Sequence, residues 1–233
     1  MPRLEKKHSL ATRAFHGANV PILAVMIWSG LLIYWANDVY AIRIGGRVFH
    51  FFPDWFYQTF HVGSRLGEGM AWHFAFMWLF ALNGLLYVAY TGLSGEWRLL
   101  VPNRHSIAEA FQVVLHDLHI RRDPLPRRKF NGAQRLAYTG VIAMGAGSLL
   151  TGLAIYKPVQ LSWLAASLGG YEAARMEHFA LTILYVLFFV VHIAQVMKSG
   201  WNNARAMIIG SEVTADGESS DEDAERAGVA GRR

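Results

Sequence analysis

The sequence predicts an all-α membrane protein, a bundle of four transmembrane helices. Three observations carry this. Of 233 residues, 53% are hydrophobic and only 17% charged, against roughly 25% charged in an average soluble domain. Mean hydropathy is positive, at +0.22. Four apolar stretches are each close to the ~20 residues that carry a helix across a hydrocarbon core. A soluble globular enzyme and a disordered chain are both disfavoured. The absence of cysteine excludes disulfides, cysteine-ligated iron–sulfur clusters, thiolate zinc sites and covalently attached c-type haem.

The first predicted span runs from Gly17 to Ala36 (GANVPILAVMIWSGLLIYWA). Basic residues precede it, but its apolar stretch exceeds that of a signal peptide and no small-residue cleavage site follows. The second span covers Met70 to Leu93, the third Leu136 to Tyr156 and the fourth His178 to Met197. Between the first two lies VFHFFPDWFYQTF (Val48–Phe60), whose aromatic density suits a membrane interface. Between the second and third, IAEAFQVVLHDLH (Ile107–His119) carries apolar residues at helical spacing, as in a helix lying on the bilayer surface. From Ser211 the chain is polar and acidic, which predicts a disordered tail over 211–233 behind a membrane domain over 1–210.

Lys and Arg are distributed unevenly. The N-terminal segment, the second connection and the C-terminal segment together hold 17, and the other two connections only 5. The positive-inside rule then puts both termini of a multi-pass protein in the cytoplasm.

Four histidines lie in or at the edge of the spans: His16, His73, His178 and His192. An ionisable group at membrane depth is costly and marks a functional site by default. His178 and His192 are 14 residues apart on one helix. That spacing is about 21 Å of rise and leaves the two side chains about 40° apart in azimuth, so one face presents both. The fourth span enters from outside, which makes His178 outer and His192 inner. The second span also enters from outside with His73 near its start, and the first begins inside with His16. Span direction alone therefore pairs His73 with His178 and His16 with His192.

Two facing imidazoles can hold an iron porphyrin from both sides. With both axial positions filled, electron transfer is favoured over oxygen binding, and without cysteine the haem is b-type. Gly30, 14 residues after His16, and Gly84, 11 after His73, are placed where a macrocycle could press against a helix. Gly152 in the third span is a further such position. Small residues that only let helices approach are the alternative. His61 is a competitor to His73 as outer ligand, while His8, His50, His105, His116 and His119 read as surface residues.

Several motifs resemble the bacterial four-helix di-haem cytochrome b family, cytochrome b561-like. They are RAFH (Arg13–His16) with WSG (Trp28–Gly30), WHFAFMWLFALNGLLYVAY (Trp72–Tyr90) with SGEWRLLVP (Ser94–Pro102), KFNGAQRLAYTG (Lys129–Gly140) with LTG (Leu150–Gly152), and HFALTILYVLFFVVH (His178–His192). The family includes membrane subunits of nickel–iron hydrogenases, formate dehydrogenases and related molybdopterin oxidoreductases. The resemblance implies two haem b groups with the same ligand pairing, and a quinone site beside the inner haem. It places Asn131 and Ala133 at that site. An Asn amide can hydrogen-bond a quinone carbonyl, and a helix N-cap is the other reading of Asn131. Arg13, Lys129 and Arg135 are candidates for haem propionates or plain positive-inside anchors.

The expected function is electron transfer between a periplasmic oxidoreductase subunit and the quinone pool. A molybdopterin enzyme is the favoured partner and a nickel–iron hydrogenase the next, either with an iron–sulfur or c-type haem intermediary as an option. No nucleic-acid role is expected, and no catalytic residue is assigned. The alternatives are a stand-alone haem quinone oxidoreductase of superoxide-oxidase type, a His-lined proton or metal transporter, and a pure membrane anchor. Against the transporter stand the lack of inverted repeats and of acidic residues well inside the spans.

Overall fold

The computed structural model describes residues 3–6, 9–37, 41–50, 52–117, 119–120 and 130–214. Helix dominates. The elements are β1 (Arg3–Lys6), α1 (Leu10–Asn37), β2 (Ala41–Ile44), β3 (Arg47–His50), α2 (Asp54–Phe60), α3 (Leu66–Ser94), α4 (Trp97–Leu100), α5 (Ser106–Asp117), α6 (Gly132–Tyr156), α7 (Ser162–Ser167), α8 (Tyr171–Ile209) and β4 (Ser211–Thr214). Four helices are long and apolar enough to cross a membrane: Leu10–Ala36, Leu66–Ser94, Gly132–Tyr156 and Tyr171–Trp201. They contain the four predicted spans and extend them, because helical hydrogen bonding continues into the less apolar flanks. Their outward faces carry exposed apolar side chains, among them Trp78, Leu82, Leu85, Leu187 and Val190. That is the pattern of a surface solvated by lipid. Pro21 lies inside α1, which a membrane helix tolerates.

The chain divides into two compact units, and each long helix contributes residues to both. One unit comprises Phe15–Leu85 and Met144–His192. In it, Gly69 of α3 lies against α1: a Cβ there would stand 2.9 Å from Leu32 Cβ and 3.0 Å from the Ser29 carbonyl oxygen. Only glycine permits so close an approach. Next to that crossing, Leu32, Tyr34, Trp35 and Val62 form a buried cluster with Phe52, Phe56 and Phe179 packed around it. Tyr34 stacks on Phe179 at 4.1 Å. The aromatic connection is thus a β2–β3 hairpin followed by α2. A second cluster, Ala154, Leu164, Ala165 and Ala174, joins α6, α7 and α8.

The other unit comprises Met1–Ala14, Leu86–Ala143 and Ile193–Arg233. Here α5 forms over the segment expected to be helical, with Ile107, Phe111 and Val114 exposed along one side. Gly132 opens α6 against α5: a Cβ would meet the Ser106 carbonyl oxygen and come within 2.6 Å of Glu109 Cβ. The Asp117 carboxylate, at the end of α5, accepts from Gln195 at 2.6 Å and pairs with Lys198 on α8. Burial pushes this carboxyl up, but the hydrogen bonds from Lys198 and Gln195 and the Lys198 charge outweigh it and hold it below its ordinary value. Helical geometry in α8 breaks at Gly200, with φ +82°. The expectation of disorder from Ser211 is corrected for the first four residues: Ser211–Thr214 pair antiparallel with Arg3–Lys6. Backbone pairing with an N-terminal strand satisfies polar groups that composition alone leaves open. The rest of the predicted tail, 215–233, lies outside the described residues.

Candidate functional site

Both histidine pairs form within the first unit described. The His73 and His178 rings have centroids 6.1 Å apart. Those of His16 and His192 are 6.2 Å apart. The separations test the fit of a metalloporphyrin. Two metal–imidazole bonds of about 2 Å in line, plus about 1.1 Å from each nitrogen to its ring centre, give about 6.2 Å. Two imidazoles are also the set a porphyrin iron needs, its four other positions being filled by the macrocycle, whereas a bare ion wants about four protein ligands. Among the described residues no group of three or more His, Cys, Asp or Glu could hold a bare ion.

The His73 and His178 rings are oriented by neighbours that sequence reasoning did not single out. Ser29 Oγ donates to the Met26 carbonyl at 3.2 Å and lies 3.0 Å from His73 Nδ1. Its proton is committed, so it accepts from Nδ1–H. Thr151 Oγ1 likewise donates to the Gly147 carbonyl at 2.7 Å and accepts from His178 Nδ1 at 2.8 Å. In both rings Nδ1 carries the proton, and Nε2 keeps a free lone pair for a metal.

A glycine follows each hydroxyl. A Cβ at Gly30 would stand 3.5 Å from His73 Cε1, and one at Gly152 would stand 3.3 Å from His178 Cε1. Each dipeptide, Ser29–Gly30 and Thr151–Gly152, is therefore a wall for the Nδ1–Cε1 edge of one imidazole. Hydroxyl–glycine dipeptides stand also at Thr91–Gly92 and Thr139–Gly140, so the pattern alone does not mark the two that hold imidazoles. Gly30 was expected to make room for a macrocycle, and its observed neighbour is the His73 ring. At Gly84 a Cβ would meet nothing within 4 Å.

The His16–His192 pair is held differently. Phe188, one turn before His192, stacks on its ring at 5.7 Å and 11°. Among the described residues no hydroxyl partners His16 or His192 as Ser29 and Thr151 partner His73 and His178.

The remaining candidates separate clearly. Asn131 and Gln134 form a capping box, with Gln134 N–H donating to Asn131 Oδ1 at 2.9 Å and Asn131 N–H donating to Gln134 Oε1 at 3.0 Å. The side-chain oxygen of Asn131 is thereby used in starting α6, and its NH2 is the group left to face a ligand. Ala133 follows in the first turn, half-buried. His61 is exposed in a left-handed conformation, φ +50°, after α2, and lies in neither pair. His105 and His119 are exposed and His116 half-buried. Arg13 donates to the Ile208 carbonyl. Arg135 is buried, with Nε donating to the Phe130 carbonyl at 3.4 Å. His8, Lys129 and the His50 side chain lie outside what is described.

Four apolar helices, three of which bring imidazoles into two facing pairs, define a multi-pass membrane protein of the haem-binding, electron-transferring class. The chain belongs to the prokaryotic cytochrome b561 family, whose model matches residues 7–210. A protein of Azospira oryzae with the provisional name protein-methionine-sulfoxide reductase subunit YedZ1 is 34% identical over 185 residues, covering 79% of this chain and 86% of that protein. This chain is accordingly a membrane electron-transfer subunit carrying b-type haem.

Proposed function

We propose that this chain binds two haem b groups, one between His73 and His178 and one between His16 and His192, and passes electrons between a periplasmic oxidoreductase and membrane quinone. The observation that carries the reading is the pair of ring separations, 6.1 and 6.2 Å, with one ring of each pair supplied by α8. Bound iron supplies a one-electron ferric/ferrous couple at each position. The chain's own work is to hold the imidazoles. Ser29 and Thr151 keep Nδ1 protonated and Nε2 available in the outer pair. Phe188 braces His192 in the inner one. Asn131 and Ala133, at the start of α6, are the proposed quinone contacts, with the Asn131 NH2 as donor.

The positive-inside distribution puts both termini in the cytoplasm of a bacterial inner-membrane protein. His73 and His178 then lie on the periplasmic side. The partner of first choice is a periplasmic molybdopterin enzyme, and a nickel–iron hydrogenase is second. The name of the Azospira relative, a reductase subunit, favours a partner that consumes electrons, with quinol as their source.

The test is haem content and optical spectroscopy of the purified chain. Two haem b per chain are expected. His73→Ala and His178→Ala are each expected to remove the same haem, and His16→Ala and His192→Ala the other. A haem content unchanged by all four substitutions refutes the reading.

A further inference from the structure

Beyond the histidine pairs, Ser9, Thr12, Tyr90 and Glu96 bring four side chains into a closed ring of oxygens, all within the unit that holds Asn131. Ser9 caps α1 by accepting the Thr12 N–H at 3.1 Å. Ser9 Oγ and Thr12 Oγ1 are 2.8 Å apart. Thr12 Oγ1 donates to Glu96 Oε2 at 3.3 Å. The Tyr90 hydroxyl lies 3.3 Å from Glu96 Oε1 and 2.9 Å from Ser9 Oγ. Each of these four oxygen–oxygen contacts needs a proton between its atoms. Three hydroxyls supply three. An ionised carboxylate supplies none, and a protonated Glu96 supplies the fourth. The ring gains a hydrogen bond by taking up one proton.

Tyr87, three residues before Tyr90 on α3, is close enough to Glu96 to interact electrostatically, and Tyr138 is similarly close to Tyr87. The Tyr138 ring packs edge-on against Phe130 at 5.2 Å, next to Asn131. The titratable groups described against Glu96 are Tyr87 and Tyr90.

We propose that this ring, through Glu96, is the proton-exchange site for the quinone reaction, an inference that rests on the quinone site proposed above. Oxidation of one quinol to quinone releases two electrons and two protons. The electrons leave one at a time and reduce ferric iron to ferrous. Each proton passes to the Glu96 carboxylate, closes the ring, and goes on to the aqueous phase before the next arrives. Quinone reduction runs the same transfers backwards.

The experiment uses the haem-loaded full chain in detergent, with decylubiquinol as the probe. Stopped-flow reduction of haem is followed between about pH 5.5 and 8.5, together with redox-induced infrared difference spectra in the carboxyl region. Glu96→Gln keeps the size and hydrogen-bonding capacity of the side chain but cannot carry the proton. It is expected to slow haem reduction about 100-fold, flatten the pH profile and remove a carboxyl band, with quinone affinity unchanged. Glu96→Asp is expected to recover most of the rate. If Glu96→Gln does not fold, Tyr90→Phe opens the ring with the carboxylate in place and is expected to shift the pH profile. A wild-type rate, pH profile and infrared spectrum in these variants overturns the proposal and leaves the quinone site standing. Wild-type protein that dithionite reduces and decylubiquinol does not overturns both.

Discussion

Replacing Thr151 by valine nearly preserves side-chain volume and deletes the oxygen 2.8 Å from His178 Nδ1. Partners of this kind typically change metal affinity 10–100-fold, or about 1.4–2.7 kcal/mol. The Ser148 carbonyl also hydrogen-bonds the His178 ring, so the buried N–H is not orphaned and the effect belongs at the low end, about tenfold. An imidazole that loses its Nδ1–H acceptor is a weaker electron donor, and this disfavours ferric iron more than ferrous. A tenfold preference is worth about 59 mV in a one-electron couple. The potential of the haem proposed between His73 and His178 should therefore rise by about that amount, with the one proposed between His16 and His192 unmoved. Redox titration of the visible haem bands, fitted as two one-electron waves, measures it. Ser29→Ala supplies an internal control. Ser29 holds His73 as Thr151 holds His178, and the two rings share one iron in the proposed arrangement, so both variants must shift the same wave. The reasoning fails if the two variants shift different waves, or if both waves stay within about 10 mV of wild type.

Two further outcomes follow from the geometry. Gly152→Val places branched carbon where even a Cβ stands 3.3 Å from His178 Cε1. The purified protein should lose one of the two proposed haems, whereas Gly84→Ala, in open space, should keep both. The Asp117 clasp gives an acid-side instability. A carboxyl held below its unfolded value of 3.8 contributes stability that is fully present above that value and lost as pH falls through the folded one. Because this pair is partly solvated, its contribution is less than about 1 kcal/mol. Limited proteolysis between α5 and α6 should accelerate modestly on acidification, and Asp117→Asn should show that faster cleavage already at neutral pH.

The spans and the pairing of histidines were legible in the sequence because both follow from length and period. Apolar runs of about 20 residues admit few structures in lipid, and a 14-residue interval leaves little doubt about which face a histidine occupies. The partners of the rings were not legible. A serine or threonine inside a membrane helix returns its hydroxyl to a carbonyl three or four residues back whatever stands opposite, as Ser29 and Thr151 do. Whether its oxygen also receives an imidazole N–H depends on the neighbouring helix. Gly69, which admits α3 to that contact, carries no local mark either. Asn131 shows the opposite case. The N-cap role is visible from Asn131 and Gln134 three residues apart, and the structure displays it in full, whereas a quinone contact leaves no pattern in the chain itself. Strand pairing between Arg3–Lys6 and Ser211–Thr214 joins segments about two hundred residues apart, beyond the reach of any window of composition.

Because α8 supplies one imidazole to each pair, the interval from His178 to His192 works as a ruler machined into a single rod. Side-chain repacking, changes in bilayer thickness and tilting of the molecule leave its graduations alone. The length of this rod can be edited only in whole steps. One residue added between the two marks advances the rest by about 1.5 Å and swings it through about 100°, turning one imidazole out of register. The loops are free to grow or shrink, while this stretch admits exchange of residues but no change in their number.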